Sequence, residues 1–418
     1  MEHVDTIVIG AGQAGLAMSH HLGVLGREHV ILERSRVAER WRSQRWDSLM
    51  FQFPSWSIEL PGRSHSGAHP DGFTHKDEVV RFIEDYGVSI NAPIRCGVNV
   101  SALRIGSSSN DDYEIDTDRG RISARHVVIA TGPYQRPRRP PAHRRLPPGI
   151  LQIDAGDYRN PRSLPDGAAL VVGSGASGCQ IADELLESGR NVYLSIGRHR
   201  RVPRRYRGRD VFWWRRELGE LDQSVDTTPP AARVSAPLVT GALGGYNVDL
   251  RRFAAGGGIL LGHLLDVVDG TLNFARDVEQ SLRAGDRAFA EFVAAVDAWI
   301  DKSGMDAQLP AADVRPADVR QVDSVDRLDV AAAGIATVIW ATGYELDFGW
   351  VDLPVFDAGG VPVQYRGATA APGVYFLGLK WMHKLKSSFL CSVGEDAGHI
   401  AARIAAEHLQ GAARRPLR

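Results

Sequence analysis

The chain has 418 residues, of which 44% are hydrophobic, and this length exceeds what one compact core usually occupies, so two domains are expected. Its 49 basic and 50 acidic side chains leave a formal net charge of −1, which excludes a general attraction to nucleic acid or to an anionic membrane surface. No apolar run is long enough to span a bilayer, and three cysteines without metal or disulfide spacing indicate a reducing, cytoplasmic setting.

The chain opens with a nucleotide-binding fingerprint. Residues 6–9 predict a buried strand, Gly10, Gly12 and Gly15 form the pattern GxGxxG, and an apolar helical pattern follows. In such a βαβ unit the glycines allow a tight turn and a close approach of a pyrophosphate, which the free N–H groups of the helix then face. The next strand ends in Glu33, near the spacing at which an acid reaches the ribose hydroxyls.

Residues 36–62 are dense in tryptophan and arginine and too irregular for one helix. They are compatible with a packed surface loop and equally with a loop beside a flavin, because amphipathic rings flanked by guanidinium groups suit a flavin and its phosphates. Residues 127–129 then predict a buried strand that runs into the small residues Ala130, Thr131 and Gly132. Residues 133–148, rich in proline and arginine, predict a linker at a domain boundary.

A second fingerprint follows this linker. Residues 169–172 predict a strand, residues 173–178 read GSGASG, and a helix and another strand come next. This last strand ends in Ser195, where the first fingerprint ended in an acid, and a run of arginines comes next. An acid would repel a 2′-phosphate, whereas Ser195 with Arg198, and secondarily Arg200, would bind it, so NADPH is predicted over NADH. The arginines further on are expected to be solvated or ion-paired.

The remaining chain contains one ambiguous segment and a return to the first domain. Residues 211–334 are either a substrate cap or an elaboration of the second domain, and the elaboration is favoured. A strand over residues 337–340 then leads into a second ATG sequence, as expected for a chain that crosses twice between two domains. A closing strand is followed by a helix whose N-terminus would stabilise negative charge on a reduced flavin. Between them, His383 is either a pocket residue or part of a surface turn.

Together, GAGQAG, GSGASG, the ATGY sequence and the closing strand and helix resemble the two-dinucleotide-binding-domain flavoproteins, and more narrowly the class B flavin-containing monooxygenases. The resemblance covers nearly the whole chain in the same order. It implies an α/β fold of two Rossmann-like domains, with an NADP domain (141–329) inserted into an FAD domain (1–140 and 330–418). Residues 211–329 would form a helical or irregular elaboration of the inserted domain.

The resemblance also implies an activity. NADPH would reduce FAD, O₂ would form a C4a-(hydro)peroxyflavin, and one oxygen atom would pass to a small organic substrate such as an amine, a thioether, an indole-type acid or a ketone. Trp41 matches the tryptophan of the family's first loop, although Glu39 and Arg40 replace the two glycines that usually precede it. Gln52 stands where animal members carry an active-site asparagine and plant members a histidine, so it would lie near the flavin.

One family signature, FxGxxxHxxxY/F, is only partly present. Tyr158 fits it, Asp154 stands at the position of the histidine, and the phenylalanine is absent. The departure bears on substrate range and on coupling and leaves both cofactor sites intact.

The expected site residues fall into three groups, and no metal site is expected. The FAD group is Gly10, Gly12, Gln13, Ala14, Gly15, Glu33, Arg34, Trp41, Val100, Ala130, Thr131, Gly132, Gly378 and Ser388. The NADPH group is Gly173, Gly175, Ala176, Ser177, Gly178, Ser195, Arg198, Arg200, Ala341, Thr342, Gly343 and Tyr344. The candidates for the catalytic centre are Gln52, His383 and Asp154.

Other functional classes share these motifs. A pyridine nucleotide-disulfide reductase would need a redox cysteine pair beside the flavin, and no two cysteines are close in this sequence. An NADPH oxidase that releases H₂O₂ and a flavin or nucleotide sensor without turnover stay open as alternatives. The expected partners are O₂ and a small molecule, without nucleic acid or membrane, and a homodimer is left open.

Overall fold

The computed structural model describes residues 1–106, 112–233, 236–308 and 325–413, and the side chains up to residue 407 within the last range. The strands are β1 (Glu2–Ile9), β2 (His29–Glu33), β3 (Glu59–Leu60), β4 (Arg63–Ser64), β5 (Ile94–Cys96), β6 (Val100–Ile105), β7 (Tyr113–Thr117), β8 (Gly120–Ile129), β9 (Arg136–Pro137), β10 (Leu151–Asp154), β11 (Ala168–Val172), β12 (Val192–Ser195), β13 (Arg205–Tyr206), β14 (Arg209–Asp210), β15 (Ile259–Leu261), β16 (Leu264–Val268), β17 (Thr271–Phe274), β18 (Arg327–Asp329), β19 (Ile335–Trp340), β20 (Tyr344–Glu345), β21 (Val351–Asp352) and β22 (Val374–Phe376). The α-helices are α1 (Gln13–Val24), α2 (Glu39–Ser43), α3 (Lys76–Ser89), α4 (Ala176–Glu187), α5 (Val211–Glu217), α6 (Leu250–Ala255), α7 (Val278–Ser303) and α8 (Val393–Ala413).

The first domain is built on a mixed sheet with β1 near its centre. Strands β5, β2, β1, β8 and β22 pair in parallel in that order, and β6 and β7 extend the sheet beyond β8 through antiparallel pairing. Ile7 and Val8 on β1 are 0% exposed, because both faces of a parallel sheet are covered by other elements. Helix α1 packs against α8, so the two ends of the chain close one domain.

The second domain repeats this arrangement with a parallel sheet of five strands. Their order is β10, β19, β11, β12 and β15, and α4 follows the central strand β11. The apolar face of α4, which includes Ile181 and Leu185, is buried in the core of this domain. Each GxGxxG sequence therefore lies at the carboxyl end of a central parallel strand, which confirms the prediction of two Rossmann-like domains.

The two crossings between the domains pair with each other. Strand β9 on the outward crossing pairs antiparallel with β20 on the return, and Arg136 forms an ion pair of 2.8 Å with Glu345. Strand β19 lies in the second sheet, between β10 and β11. The return to the first domain therefore follows residue 340, which corrects the boundary predicted at residue 330. The strand pairing decides this boundary, and sequence composition carries no sign of it.

The segment after β12 packs against the first domain as well as the second. Phe212 on α5 stacks on Phe53 of the first domain with ring centroids 4.3 Å apart, and both belong to one hydrophobic cluster with residues of α1 and α8. Helix α7 joins this cluster, and β16, β17 and β18 form a small separate sheet. Residues 234–235 and 309–324 of the predicted elaboration lie outside the described residues. No helix in the described ranges is both long and apolar enough to cross a membrane.

Carboxylates pair with several of the arginines that follow the second fingerprint. Arg201 contacts Asp249 at 3.0 Å and Asp286 at 3.1 Å, and Arg204 bonds Asp210 at 2.9 Å through its Nε. Burial of such charges is tolerated only when they are paired in this way. The expectation of ion-paired arginines is therefore confirmed for these positions.

Candidate active site

One cleft of about 1100 Å³ lies between the two domains. Its walls come from both fingerprints, from residues 36–62, from the two ATG sequences and from the segment after β22. The expected site residues that line it are Gly10, Gly12, Gln13, Ala14, Glu33, Arg34, Trp41, Gln52, Val100, Ala130, Thr131, Gly132, Asp154, Gly175, Ala176, Ser177, Gly178, Ala341, Gly343, Tyr344, Gly378 and Ser388.

The first fingerprint has the geometry of a phosphate cradle. Gly10 has φ +110°, and a Cβ there would lie 2.7 Å from the carbonyl oxygen of Ala130. A Cβ on Gly15 would lie 1.9 Å from the carbonyl oxygen of Gly10, so strand and helix approach too closely for any side chain. A Cβ on Gly12, in contrast, would meet nothing within 4 Å. Gly12 lines the cleft, so this open space is available to a ligand.

The second fingerprint repeats these relations. Gly173 has φ +111°, and its added Cβ would lie 2.5 Å from the carbonyl oxygen of Ala341, while that of Gly178 would lie 1.8 Å from the carbonyl oxygen of Gly173. A Cβ on Gly175 would meet nothing within 4 Å. The two ATG sequences thus close the two cradles from the same side, Ala130 in one domain and Ala341 in the other.

The helices behind the two cradles begin without a side-chain cap. Neither α1 nor α4 has a capping hydrogen bond or an acidic residue in its first turn, whereas Asp210 caps α5 and Asp249 caps α6. Their first N–H groups and the positive ends of their dipoles therefore stay available to an anion. Both cradles fit the pyrophosphate of a dinucleotide.

Glu33 occupies the end of β2 as expected for a ribose-binding acid. Its carboxylate accepts hydrogen bonds from the backbone N–H groups of Ala11 and Ser35, each at 2.9 Å. A carboxylate has further lone pairs on both oxygens, so these bonds orient Glu33 and leave it able to accept from two hydroxyls.

Residues 36–62 pack against both domains and also line the cleft, and their role beside a flavin stays a prediction. The indole N–H of Trp41 donates to Oε1 of Gln13 at 3.2 Å, and Nε2 of Gln13 donates to the carbonyl of Ser388 at 3.0 Å. Trp46 and Leu49 pack into the core of the second domain. The loop therefore holds the first turn of α1 in place and joins it to the neighbouring domain.

Asp154, at the family's histidine position, is engaged in an ion pair. Its two oxygens accept from Nε and Nη2 of Arg139, each at 2.8 Å, and the residue is only 9% exposed. Tyr158 is buried and donates to Glu184 at 2.8 Å, and this burial raises the pKa of its hydroxyl. These side chains hold the loop after β10 in place.

Five expected NADPH residues do not line the cleft, namely Gly173, Ser195, Arg198, Arg200 and Thr342, and the side chains of three of these are held by other groups. Ser195 is 3% exposed and donates to the carbonyl of Gly262 at 2.8 Å, so its hydroxyl is committed to the neighbouring strand end. Arg200 forms a bidentate ion pair with Glu220, at 2.8 and 3.1 Å. Thr342 donates to the carbonyl of Arg138. Their predicted roles as ligands are corrected for this reason.

The role of Arg198 at the 2′-phosphate stays a prediction, and the structure places a further residue next to the neighbouring Gly197. Arg198 is exposed directly after β12, and no ion pair is found for it in the described ranges. The ring of His263 lies 2.6 Å from the position that a Cβ on Gly197 would occupy, and its Nδ1 is 3.1 Å from Asp277. His263 comes to this point because β12 and β15 are paired, and no local sequence signal predicts it.

His383 lies outside the cleft. Its Nε2 is 3.9 Å from Asp226, and its backbone carbonyl accepts from the N–H of Val225 at 2.8 Å. The turn that contains His383 faces residues 222–226 and not the cofactor cradles, and the His383 side chain is 16% exposed. Its role as a catalytic candidate is corrected.

The cleft is lined by several basic side chains that the sequence did not indicate. Arg34, Arg40, Arg45 and Lys380 line it, and none of them has a carboxylate partner in the part of the chain that is described. Burial lowers the pKa of Arg40, and the charges of Arg34 and Arg45 lower it further. The guanidinium of Arg45 lies 5.4 Å from the ring centroid of Trp41. Such a lining suits ligands with several negative charges.

The cysteines do not form a redox pair. All three are free, and only Cys391 lines the cleft, where burial raises the pKa of its thiol to about 11. A thiol with a raised pKa is a poor nucleophile near neutral pH. The cleft therefore lacks the cysteine pair that disulfide reduction beside a flavin would need.

Known proteins resemble all or about half of this chain. The family model described as pyridine nucleotide-disulphide oxidoreductase matches residues 7–211. An uncharacterized CzcO-like oxidoreductase of Geobacillus kaustophilus is 32% identical over 412 residues, which cover 96% of this chain and 98% of that protein. A probable indole-3-pyruvate monooxygenase of Arabidopsis thaliana is 29% identical over 193 residues, or 46% of each chain.

Solved structures also resemble this chain over nearly its whole length. A flavin-containing monooxygenase from Stenotrophomonas maltophilia superposes with a TM-score of 0.66 at 17% identity, over 98% of this chain and all of that one. The chain belongs to the class B flavin-containing monooxygenase family. The two-domain flavoprotein fold is wider than this family, since the bacillithiol disulfide reductase from Bacillus cereus matches it with a TM-score of 0.61 at 15% identity. As a member of the monooxygenase family, this chain is a flavoprotein oxidoreductase.

Proposed function

We propose that this protein is an NADPH- and O₂-dependent monooxygenase that binds FAD in the first cradle and NADPH in the second, and inserts one oxygen atom into a small organic substrate. The observation that carries this proposal is the pair of equivalent cradles, around Gly12 and around Gly175, that open into one cleft. Two dinucleotides bound there would share the same enclosed space, as hydride transfer between them requires.

Different residues would bind the two cofactors. FAD, when bound, supplies hydride acceptance and oxygen activation. The N-terminus of α1 would hold its pyrophosphate, Glu33 its ribose, and Trp41 would close the loop over it. The N-terminus of α4 would hold the pyrophosphate of NADPH, with Arg198 at the 2′-phosphate. Both domains and the loop of residues 36–62 form the walls of the cleft, and these walls with both cofactors bound would limit the access of water to the reacting groups.

A direct assay separates this proposal from its alternatives. Purified protein in air-saturated buffer is incubated with NADPH and a panel of amines, sulfides and ketones, while absorbance at 340 nm, H₂O₂ and products are measured. An oxygenated product that accounts for the NADPH consumed is the expected result. Consumption matched by H₂O₂ for every substrate would identify an oxidase, which the ion-paired Asp154 at the family's histidine position favours as the second candidate. Cofactor binding with no NADPH consumption would identify a sensor.

The preference for NADPH is expected to depend on Arg198. In Arg198→Ala the KM for NADPH should rise at least about 10-fold while that for NADH stays unchanged, because a hydrogen bond to a charged group contributes about 1.5–3 kcal/mol. Steady-state kinetics with both nucleotides measure this. Arg200→Ala is the matched comparison and should leave the preference unaltered, since Arg200 is held by Glu220. An equal loss with both nucleotides in Arg198→Ala would contradict the assignment.

Gln52 is expected to affect coupling. Its side chain lines the cleft, and no hydrogen bond is found for its amide within the described residues, although its backbone carbonyl accepts from Arg204 at 2.7 Å. Gln52→Ala should retain its flavin and release more of its NADPH equivalents as H₂O₂, at least about 3-fold more, because a donor near the reacting centre is lost. Gln280→Ala, on the exposed face of α7, serves as the control. Unchanged peroxide release in Gln52→Ala would remove this residue from the site.

A further inference from the structure

One end of the cleft is aromatic. Phe51, Phe53 and Phe389 line it, with ring centroids 5.8 Å apart for the first pair and 5.5 Å for Phe53 and Phe389. Trp41 continues this row toward the first cradle, 5.8 Å from Phe51. The row therefore leads from the expected flavin site to a surface that suits an apolar or aromatic group.

Helix α5 places a charged side chain at this aromatic end. Phe212 stacks on Phe53, and Arg215 follows it by three residues on the same face of the helix. Arg215 is only 2% exposed, yet it lines the cleft. Its Nε donates to Glu220 at 3.0 Å, and no hydrogen bond of its two Nη atoms is found among the residues that the structure describes.

The charge around Arg215 is not balanced. Glu220 is shared with Arg200, which binds it through two hydrogen bonds of 2.8 and 3.1 Å. Two guanidinium groups therefore face one carboxylate in a buried site, and this leaves one positive charge in excess. A buried charge without its own partner is costly, and an anion bound in the cleft would remove that cost. Burial lowers the pKa of Arg215, in keeping with this strain on the charged form.

We propose that Arg215 is the substrate-binding cation of this site, and that the substrate is a small organic acid with an apolar or aromatic body. The proposal rests on the proposed function, whose substrate class it names. The carboxylate would pair with the two Nη atoms of Arg215, which present parallel donors, while the body of the acid lies against Phe51, Phe53 and Phe389. A cofactor pyrophosphate is the other anion that could bind Arg215. Each of the two pyrophosphates, however, already has a binding site at an uncapped helix N-terminus, that of α1 or that of α4.

A pair of probes that differ only in charge tests this proposal. Phenylacetate and phenylacetamide have the same shape, and isothermal titration calorimetry of the purified protein, with the flavin that it retains, measures the binding of each without turnover. The wild-type protein should bind the acid at least 10-fold more tightly than the amide. Arg215→Met should lose this preference and bind the two probes equally, since the pair between Glu220 and Arg200 stays intact. Arg215→Lys should recover part of it.

The neighbouring residue provides the control. Arg216 is exposed, lies over the ring of Trp56 and contacts Glu217 at 3.3 Å, so Arg216→Met should keep the full preference for the acid. Equal binding of acid and amide by the wild-type protein would overturn the proposal. Weaker NADP⁺ binding by Arg215→Met, with its preference for phenylacetate intact, would also overturn it and assign the guanidinium to the cofactor. A colourless protein would contradict the proposed function instead, because the titration reports on Arg215 whether or not flavin is present.

Discussion

The Gly12→Val variant is expected to fold and to be colourless. A Cβ at Gly12 meets no protein atom, and the backbone angles of this residue, φ −86° and ψ −172°, are accessible to valine. The added isopropyl group would instead fill the space where a pyrophosphate meets the first N–H groups of α1. Affinity for FAD should fall at least about 100-fold, equivalent to about 2.8 kcal/mol. Absorbance at 450 nm against protein concentration and thermal unfolding after reconstitution with FAD measure this loss.

The same helix offers the control for this variant. Gly23 is exposed on α1, and its added Cβ also meets nothing within 4 Å. Gly23→Val places the same side chain more than two helical turns from the cradle, so the variant should retain the flavin. It should lose no stability, because valine is a better helix former than glycine. A yellow Gly12→Val protein would show that the flavin does not bind at the first fingerprint.

The Gly175→Val variant should separate the two cofactors. Its backbone angles, φ −72° and ψ 174°, also accept a side chain, and the added group would obstruct the N-terminus of α4 only. The protein should therefore stay yellow, while reduction of its flavin by NADPH slows at least about 100-fold at a fixed NADPH concentration. Anaerobic stopped-flow absorbance measures the rate.

Reduction by dithionite is the control for Gly175→Val. Dithionite does not use the nucleotide cradle, so it should reduce the variant as fast as the wild-type protein. Normal reduction by NADPH would place the nicotinamide nucleotide elsewhere. With Gly12→Val, this variant tests whether the two equivalent cradles hold different cofactors, which is the assumption behind the proposed function.

The two cradles could be predicted because their determinants are local. Gly15 must lack a side chain because of the carbonyl of Gly10, only five residues away, and the second fingerprint repeats the same short-range constraint. Glu33 is likewise placed by a strand that follows within one βαβ unit. Residue spacing along the chain determines such short-range geometry, so the spacing was sufficient to predict it.

Residue spacing was not sufficient to predict the ligands of the 2′-phosphate. Ser195 and Arg200 have the right residue types at the right spacing. The hydroxyl of Ser195, however, donates to the carbonyl of Gly262, and the guanidinium of Arg200 forms an ion pair with Glu220. These partners come from the residue directly after β15 and from the segment after α5. Spacing along the chain shows which residues can reach a position, and it does not show which other groups compete for them.

The amino-acid sequence by itself determined two Rossmann-like folds, their order and the glycines of their two cradles, because hydrophobic period and glycine spacing act within about thirty residues. The tertiary structure alone decided which charged side chains face the cleft. Arg215 lines the cleft, while Arg200 and Arg204 are not available to it, because Glu220 binds Arg200 and Asp210 binds Arg204. Ion pairing and burial depend on which elements pack together, and these contacts exist only once the chain has folded.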